Sequence, residues 1–136
     1  MKSMTRRYVA TATLLAALTG CGGGGFDLTA YLHAVALADA KEAEARLLAM
    51  DTPCVQVSQC GTVGFTDPRD PCGMWSFKPY SLVSSTAAVA KAASDQQREL
   101  AARARELSAQ PNVACLMLVK IPPELACAAS TCVAAQ

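Results

Sequence analysis

CVQVSQCGTVGFTDPRDPCGMWSFKPY, residues 54–80, decides how the chain folds. Cys54 to Cys60 alternate small or apolar with polar side chains, the period of a half-buried strand. Residues 61–65 continue that strand or pair with it. Thr66-Asp67-Pro68-Arg69-Asp70-Pro71 then brings two Asp-Pro steps, and proline has no N–H to give a ladder, so this is a turn. Cys72-Gly73-Met74-Trp75-Ser76-Phe77-Lys78-Pro79-Tyr80 follows, with the only Trp of a chain that is 5% aromatic. Pro79 is expected to keep this segment from being a central strand.

Helices flank that sheet material. Residues 26–50 contain no Pro or Gly and are rich in Ala, Leu, Glu, Lys and Arg, which lose little entropy in a helix. Asp27 is the expected N-cap, and Asp51-Thr52-Pro53 the stop. Leu32, Ala36, Ala40, Ala43, Leu47 and Met50 recur at helical spacing, which predicts that this stripe faces a partner. A second helix is expected over about residues 86–109, capped by Ser84 or Ser85 and ended by Pro111. Its stripe reads Val89, Ala93, Gln96, Leu100 and Leu107, with Gln96 as a polar break. Residues 113–121 (VACLMLVKI) are the most apolar run after the N-terminus and predict a central strand. Pro122-Pro123 ends it, and residues 126–133 return as a short edge strand. The fold class is therefore α+β, a small antiparallel sheet with two helices packed on one face, stapled by disulfides.

The staples follow from composition. The chain has 136 residues and seven cysteines, and is 52% hydrophobic, most of it alanine, which buries little area per residue. Such a core needs covalent help. A formal net charge of +1 argues against a nucleic-acid binder. Six of the cysteines, Cys54, Cys60, Cys72, Cys115, Cys127 and Cys132, form an even set in two clusters, the pattern of a disulfide framework in an exported protein. They allow fifteen pairings, and at least one bridge between clusters is expected. No C-x-x-C spacing occurs, so neither a redox pair nor a metal knuckle is indicated, and no metal is expected.

The seventh cysteine lies in the N-terminal segment. Lys2, Arg6 and Arg7 precede an apolar run over residues 8–18, too short to span about 30 Å of hydrocarbon but sized as a signal-peptide core. The run closes on Leu18-Thr19-Gly20-Cys21, which resembles the lipobox of bacterial lipoproteins. The resemblance implies cleavage before Cys21, a diacylglycerol on its sulfur and an N-acyl lipid on its new amino group. Two or more acyl chains make a firm anchor. It also implies an exported chain lipid-anchored at the cell envelope. Gly22 stands where Asp would mark inner-membrane retention, which points to the outer membrane in a Gram-negative host. Residues 1–20 are then the signal peptide, 21–25 the lipidated cysteine and glycine tether, and 26–136 one disulfide-rich domain. Loss of Lys2, Arg6 and Arg7 leaves that domain mildly acidic.

Residues 54–132 also resemble small cysteine-rich bacterial lipoproteins, through Pro71-Cys72-Gly73, the aromatics to Tyr80, a charged helix, Cys115 and the Cys127 to Cys132 tail. Met74 stands where that group often has a further glycine, and the group brings no activity with it. No catalytic residues are assigned. His33, the only histidine, sits mid-helix without a recognisable nucleophile, and a general base needs a positioned partner. Asp67, Arg69 and Asp70 read as solvated turn residues without EF-hand spacing. Arg98, Arg103 and Arg105 are interleaved with acidic residues, as on a soluble helix face. Trp75, Phe77 and Tyr80 form the candidate interface, against the plainer reading that they cover the disulfides as core. The expected role is a non-enzymatic binding or structural module with an envelope protein partner and no small-molecule cofactor. The alternatives are an inhibitor of a protease or cell-wall hydrolase presenting the loop 66–71 and, further off, a small hydrolase.

Overall fold

The computed structural model describes residues 25–110, 113–115 and 120–135. Helix α1 spans Leu28–Leu48, opened by Asp27, whose carboxylate accepts from the Ala30 N–H at 3.0 Å. That bond satisfies one of the orphan donors of the first turn. Strands β1 (Cys60–Thr66) and β2 (Trp75–Ser81) form an antiparallel ribbon with Cys60 opposite Ser81 and Thr66 opposite Trp75. Helix α2 covers Ala87–Glu106. A second ribbon pairs β3 (Leu125–Ala128) with β4 (Thr131–Ala134). The α+β class holds, with two two-stranded ribbons in place of one continuous sheet.

The two helices lie antiparallel. Ala45 and Ala49 at the end of α1 meet Ala90 and Ala93 at the start of α2, together with Val63, Phe65 and Tyr80 of the first ribbon. At the other end Ala34 and Val35 meet Ala104. The buried faces are thus mostly alanine, and small side chains let two helix backbones approach closely. This overturns the expected stripe on α1: Leu32, Ala36, Ala40, Ala43, Leu47 and Met50 are all exposed. On α2 the buried set is Ala90, Ala93, Ser94, Gln97, Ala101 and Ala104, while Val89 and Gln96 face solvent.

Gln97 explains the shift. Its side chain is fully buried, accepts from the Thr66 N–H at 3.1 Å and donates to the Thr66 carbonyl at 2.8 Å. Ser94 donates to the Gly64 carbonyl at 2.7 Å. Helix α2 therefore stands along the free edge of β1 and pairs its backbone with side chains, which closes an edge that would otherwise be open to another strand. The opposite edge belongs to β2, where Pro79 lies opposite Thr62. Proline is tolerated at an edge position, which is where a two-stranded ribbon puts it.

Three further expectations change. The Cys54 to Cys60 alternation is not a strand; Val57–Gln59 is a single 3-10 turn, with the Gln59 side chain accepting from the Val55 N–H at 2.7 Å. The apolar run 113–121 is not a central strand in its described part, since Val113 and Ile121 are 41% and 74% exposed. Its residues 116–119 lie outside the described residues. Residues 126–133 form most of a hairpin, not one strand, turning at Ala129 and Ser130 with φ of 49° and 60°.

All three disulfides run between the clusters: Cys54–Cys127, Cys60–Cys132 and Cys72–Cys115. The first two tie the β3–β4 ribbon over the entry to β1, where Cys54, Cys60 and Cys132 are buried with Leu125 and Cys127 against them. Backbone bonds continue this join, from Cys54 N–H to the Ser130 carbonyl at 3.0 Å and from Cys132 N–H to the Thr52 carbonyl at 2.8 Å. Sulfur here supplies the buried volume that aromatic side chains supply elsewhere. No helix among the described residues is long and apolar enough to cross a membrane.

Candidate functional site

The turn between β1 and β2 is built by its aspartates. The Asp67 carboxylate accepts from the Arg69 N–H and the Asp70 carboxylate from the Cys72 N–H, each at 2.8 Å. The Gly73 N–H reaches the Asp70 carbonyl at 2.9 Å, and the Asp67 N–H the Met74 carbonyl at 3.0 Å. Gly73 has φ +64°, which favours glycine, and a side chain there would meet the Arg105 guanidinium. Asp67 and Asp70 are therefore turn-forming residues, and the Cys72–Cys115 bridge pins the loop from behind.

Beside the loop lies an open groove of about 330 Å³, walled by Met74 and Trp75 and floored by Asp39 and Glu42 of α1. The floor carboxylates are paired. Arg69 grips Asp39 through its two terminal guanidinium nitrogens, Nη1 and Nη2, and this hydrogen bonding raises the Arg69 pKa above its ordinary value. Arg46 donates to Glu42 at 2.7 Å and to the Ser76 hydroxyl at 2.9 Å, with its guanidinium 4.4 Å from the Phe65 ring centre. These contacts fix the groove walls to α1 before anything binds.

Trp75 is half-buried and packs against Phe77 with ring centres 5.6 Å apart. The pair fits because residue 64 is glycine: a Cβ there would lie 2.9 Å from the Trp75 ring and 3.2 Å from Phe77. Two cations approach the Trp75 ring, Lys120 at 4.3 Å and Arg98 at 5.5 Å from its centre, an attractive arrangement for a π face. The indole Nε1 is buried and has no hydrogen-bond partner among the described residues. Met74, next in the chain, is 60% exposed.

Tyr80 departs from this group. It is 4% exposed and belongs to the core with Val63 and Phe65, on the ribbon face opposite Trp75 and Phe77. Period-2 alternation separates Tyr80 from its neighbours, so it leaves the candidate interface. His33 is exposed on α1. The three arginines of α2 do not converge on one anion: Arg98 binds Asp95, Arg103 binds Glu106, and Arg105 donates to the Thr66 hydroxyl and the Asp67 carbonyl. The sulfurs of Cys54, Cys60 and Cys132 lie within 4.8 Å of one another, but each is spent in a disulfide, and metals take the thiolate.

Sequence reading missed Gln97: the stripe it drew on α2 ran through Gln96, which is exposed, while its neighbour Gln97 is the buried one. It also missed the Arg46–Ser76 and Arg69–Asp39 contacts that tie the groove together, because each bridges elements far apart in the chain. The expected signal peptide over residues 1–20, Cys21 and glycines 22–24 lie outside the described residues. No known family description, no curated protein and no solved structure matches this chain.

Proposed function

We infer that the chain is a bacterial envelope lipoprotein, held to the membrane by acyl groups on Cys21, whose folded part is a non-enzymatic binding or structural module. The anchor rests on the charged start, the apolar run and Leu18-Thr19-Gly20-Cys21. The observation that carries the binding role is the Met74–Trp75 wall. It presents apolar and aromatic surface beside a groove whose other side is locked by the Arg69–Asp39 pair and the Cys72–Cys115 bridge. Rigid aromatic surface binds without a large ordering cost, which is why such residues dominate interface energetics. The partner is an envelope protein.

The test places a photo-crosslinking amino acid at Met74 of the full chain and irradiates intact cells. A discrete adduct that Trp75→Leu abolishes supports the reading, and an adduct pattern indifferent to Trp75 overturns it. Replacing Cys21 by Ser should move the chain from the membrane to the soluble fraction; unchanged sedimentation with membranes sinks the anchor.

The inhibitor reading keeps one structural support, the stiff loop from Asp67 to Met74. Against it, the Arg69 side chain is tied to Asp39 and so is held back from a protease subsite. Inhibition of envelope hydrolases by the full chain, lost on Arg69→Ala, would favour the inhibitor over the binding module.

A further inference from the structure

Two of the three disulfides lie side by side. Cys54, Cys60 and Cys132 are 4%, 8% and 3% exposed, and their sulfurs lie within 4.8 Å of one another. Cys127, bonded to Cys54, is the fourth member. These four sulfurs share the start of β1, while Cys72–Cys115 sits beside the turn at the other end of the ribbon. We propose that the cluster is a thiol–disulfide exchange centre. A monothiol there converts the observed pairing, Cys54–Cys127 with Cys60–Cys132, into a local one, Cys54–Cys60 with Cys127–Cys132.

The backbone already prepares both local pairs. Cys127 and Cys132 face each other across the β3–β4 ribbon. The Ala135 N–H bond to the Glu124 carbonyl fixes which rungs carry hydrogen bonds, and alternation makes 127–132 a rung without them. In such a rung the Cα atoms are about 4.5 Å apart and the side chains share a face, which a disulfide can span. On the other segment the Val57–Gln59 turn folds the chain back. The Gln59 N–H donates to the Gln56 carbonyl at 3.0 Å, and the Val55 N–H to the Gln59 side chain at 2.7 Å. That turn holds the Cys54 and Cys60 sulfurs within the same 4.8 Å. The swap therefore turns side chains and leaves both backbones in place.

Burial sets the point of entry. Cys127 is half-buried and the other three are buried, so an external thiolate reaches Cys127 Sγ first. It bonds to that sulfur, the bond to Cys54 breaks, and the electron pair leaves on Cys54 Sγ. The Cys54 thiolate attacks Cys60 Sγ, and the bond to Cys132 breaks with its pair on Cys132 Sγ. The Cys132 thiolate attacks Cys127 Sγ and expels the external thiolate. Three S–S bonds form and three break, nothing is oxidised or reduced overall, and the thiol is returned as a catalyst.

The two pairings hold the β3–β4 ribbon differently. In the structure both of its cysteines are bonded to the segment that leads into β1. After exchange no disulfide crosses that join. It is then held by packing and by the backbone contacts of Cys54 with Ser130, Cys132 with Thr52 and Pro53 with Thr131. The observed bridges span separations of 73 and 72 residues, whereas the local ones close short loops, which costs a chain less entropy. Packing of the docked ribbon is thus what favours the long bridges. The centre acts as a latch: whatever draws the ribbon away drives the four sulfurs to the local pairs.

Trypsin separates the two pairings, because it cuts after Arg46, Arg69, Arg105 and Lys120. The observed pairing joins residues 47–69 to residues 121–136 by two bridges. The local pairing gives them as two separate peptides, each with an internal disulfide. Residues 70–91 joined to 106–120 report Cys72–Cys115. The folded full chain is incubated with glutathione at about 1 mM, alkylated in acid, denatured and digested. Both internally bridged peptides should appear at a rate proportional to glutathione, at least about tenfold faster than any rearrangement of Cys72–Cys115. Persistence of the double-bridged pair alone, or glutathione adducts without local bridges, overturns the proposal. So does conversion that is indifferent to glutathione or that occurs only together with rearranged Cys72. In Cys54→Ser the free Cys127 faces Cys132, so alkylation should divide between Cys127 and Cys60; label on Cys127 alone also overturns it. None of these readouts depends on the Met74–Trp75 wall or on the Cys21 anchor, so the proposals fail separately.

Discussion

Replacing Gln97 by Met removes both bonds to Thr66 while keeping nearly the same volume. Gln97 is fully buried and Thr66 is 2% exposed, so no water replaces the lost partners of the Thr66 N–H and carbonyl. Each buried backbone group left unpaired costs about 1–3 kcal/mol, partly offset by the gain from burying an apolar side chain. The net expected loss is about 3 kcal/mol. With a urea dependence of about 1.5 kcal/mol per molar, the unfolding midpoint falls by about 2 M, disulfides intact. Exchange of the Thr66 amide hydrogen should accelerate more than that of its ribbon neighbours.

A second substitution separates hydrogen bonding from packing. Gln97→Glu in its protonated form offers one O–H donor and one acceptor, matching Thr66, whereas the carboxylate faces the Thr66 carbonyl and is repelled. Burial raises the folded-state pKa of this Glu above the unfolded value of about 4.3. The variant should therefore be near wild-type stability below that value and lose stability as pH rises through the folded pKa. A midpoint within 0.3 M of wild type for Gln97→Met (about 0.5 kcal/mol), or a Gln97→Glu variant with no added pH dependence, would refute the role given to this side chain.

Gly64→Ala places a methyl 2.9 Å from the Trp75 ring, and should cost about 1–3 kcal/mol while shifting Trp75 emission to the red as the ring is pushed outward. Ser130→Gly relieves a left-handed backbone at φ 60° and should stabilise by about 1 kcal/mol, read as a melting temperature about 4 °C higher. Asp95 has its pKa lowered by the hydrogen bond from Lys91 and the charge of Arg98. Its contribution is present above the ordinary carboxylate pKa and fades as pH falls through the lowered folded value. The gap between wild type and Asp95→Asn, a few tenths of a kcal/mol for so exposed a pair, should thus close in acid.

Both helices are legible in the sequence because their signals are local: long stretches without Pro or Gly, and an aspartate placed to cap the first. Which face each helix buries is not, because alanine occupies all sides of α1 and periodicity weights the larger Leu32, Leu47 and Met50. Close helix packing rewards the opposite choice, small residues inward. Gln97 breaks the apolar pattern because its partner is a strand edge, and an edge has no signature in the helix sequence. The alternation from Cys54 to Cys60 is shared by strands and by a 3-10 turn held by Gln59. Trp75 and Phe77 could be paired by their period-2 spacing, and the same rule separates them from Tyr80. Disulfide pairing depends on which strands meet, so spacing alone left it open.

The disulfide connectivity also constrains the order in which the protein can mature. Cys54, Cys60 and Cys72 each pair with a cysteine at position 115 or later. A chain entering an oxidising compartment N-terminus first exposes three thiols together before any native partner has arrived. If oxidation outpaces arrival, the first bridge formed is necessarily a wrong one, and the native set is reached only through thiol–disulfide exchange. The yield of folded protein should then follow the supply of isomerase more closely than the supply of oxidant.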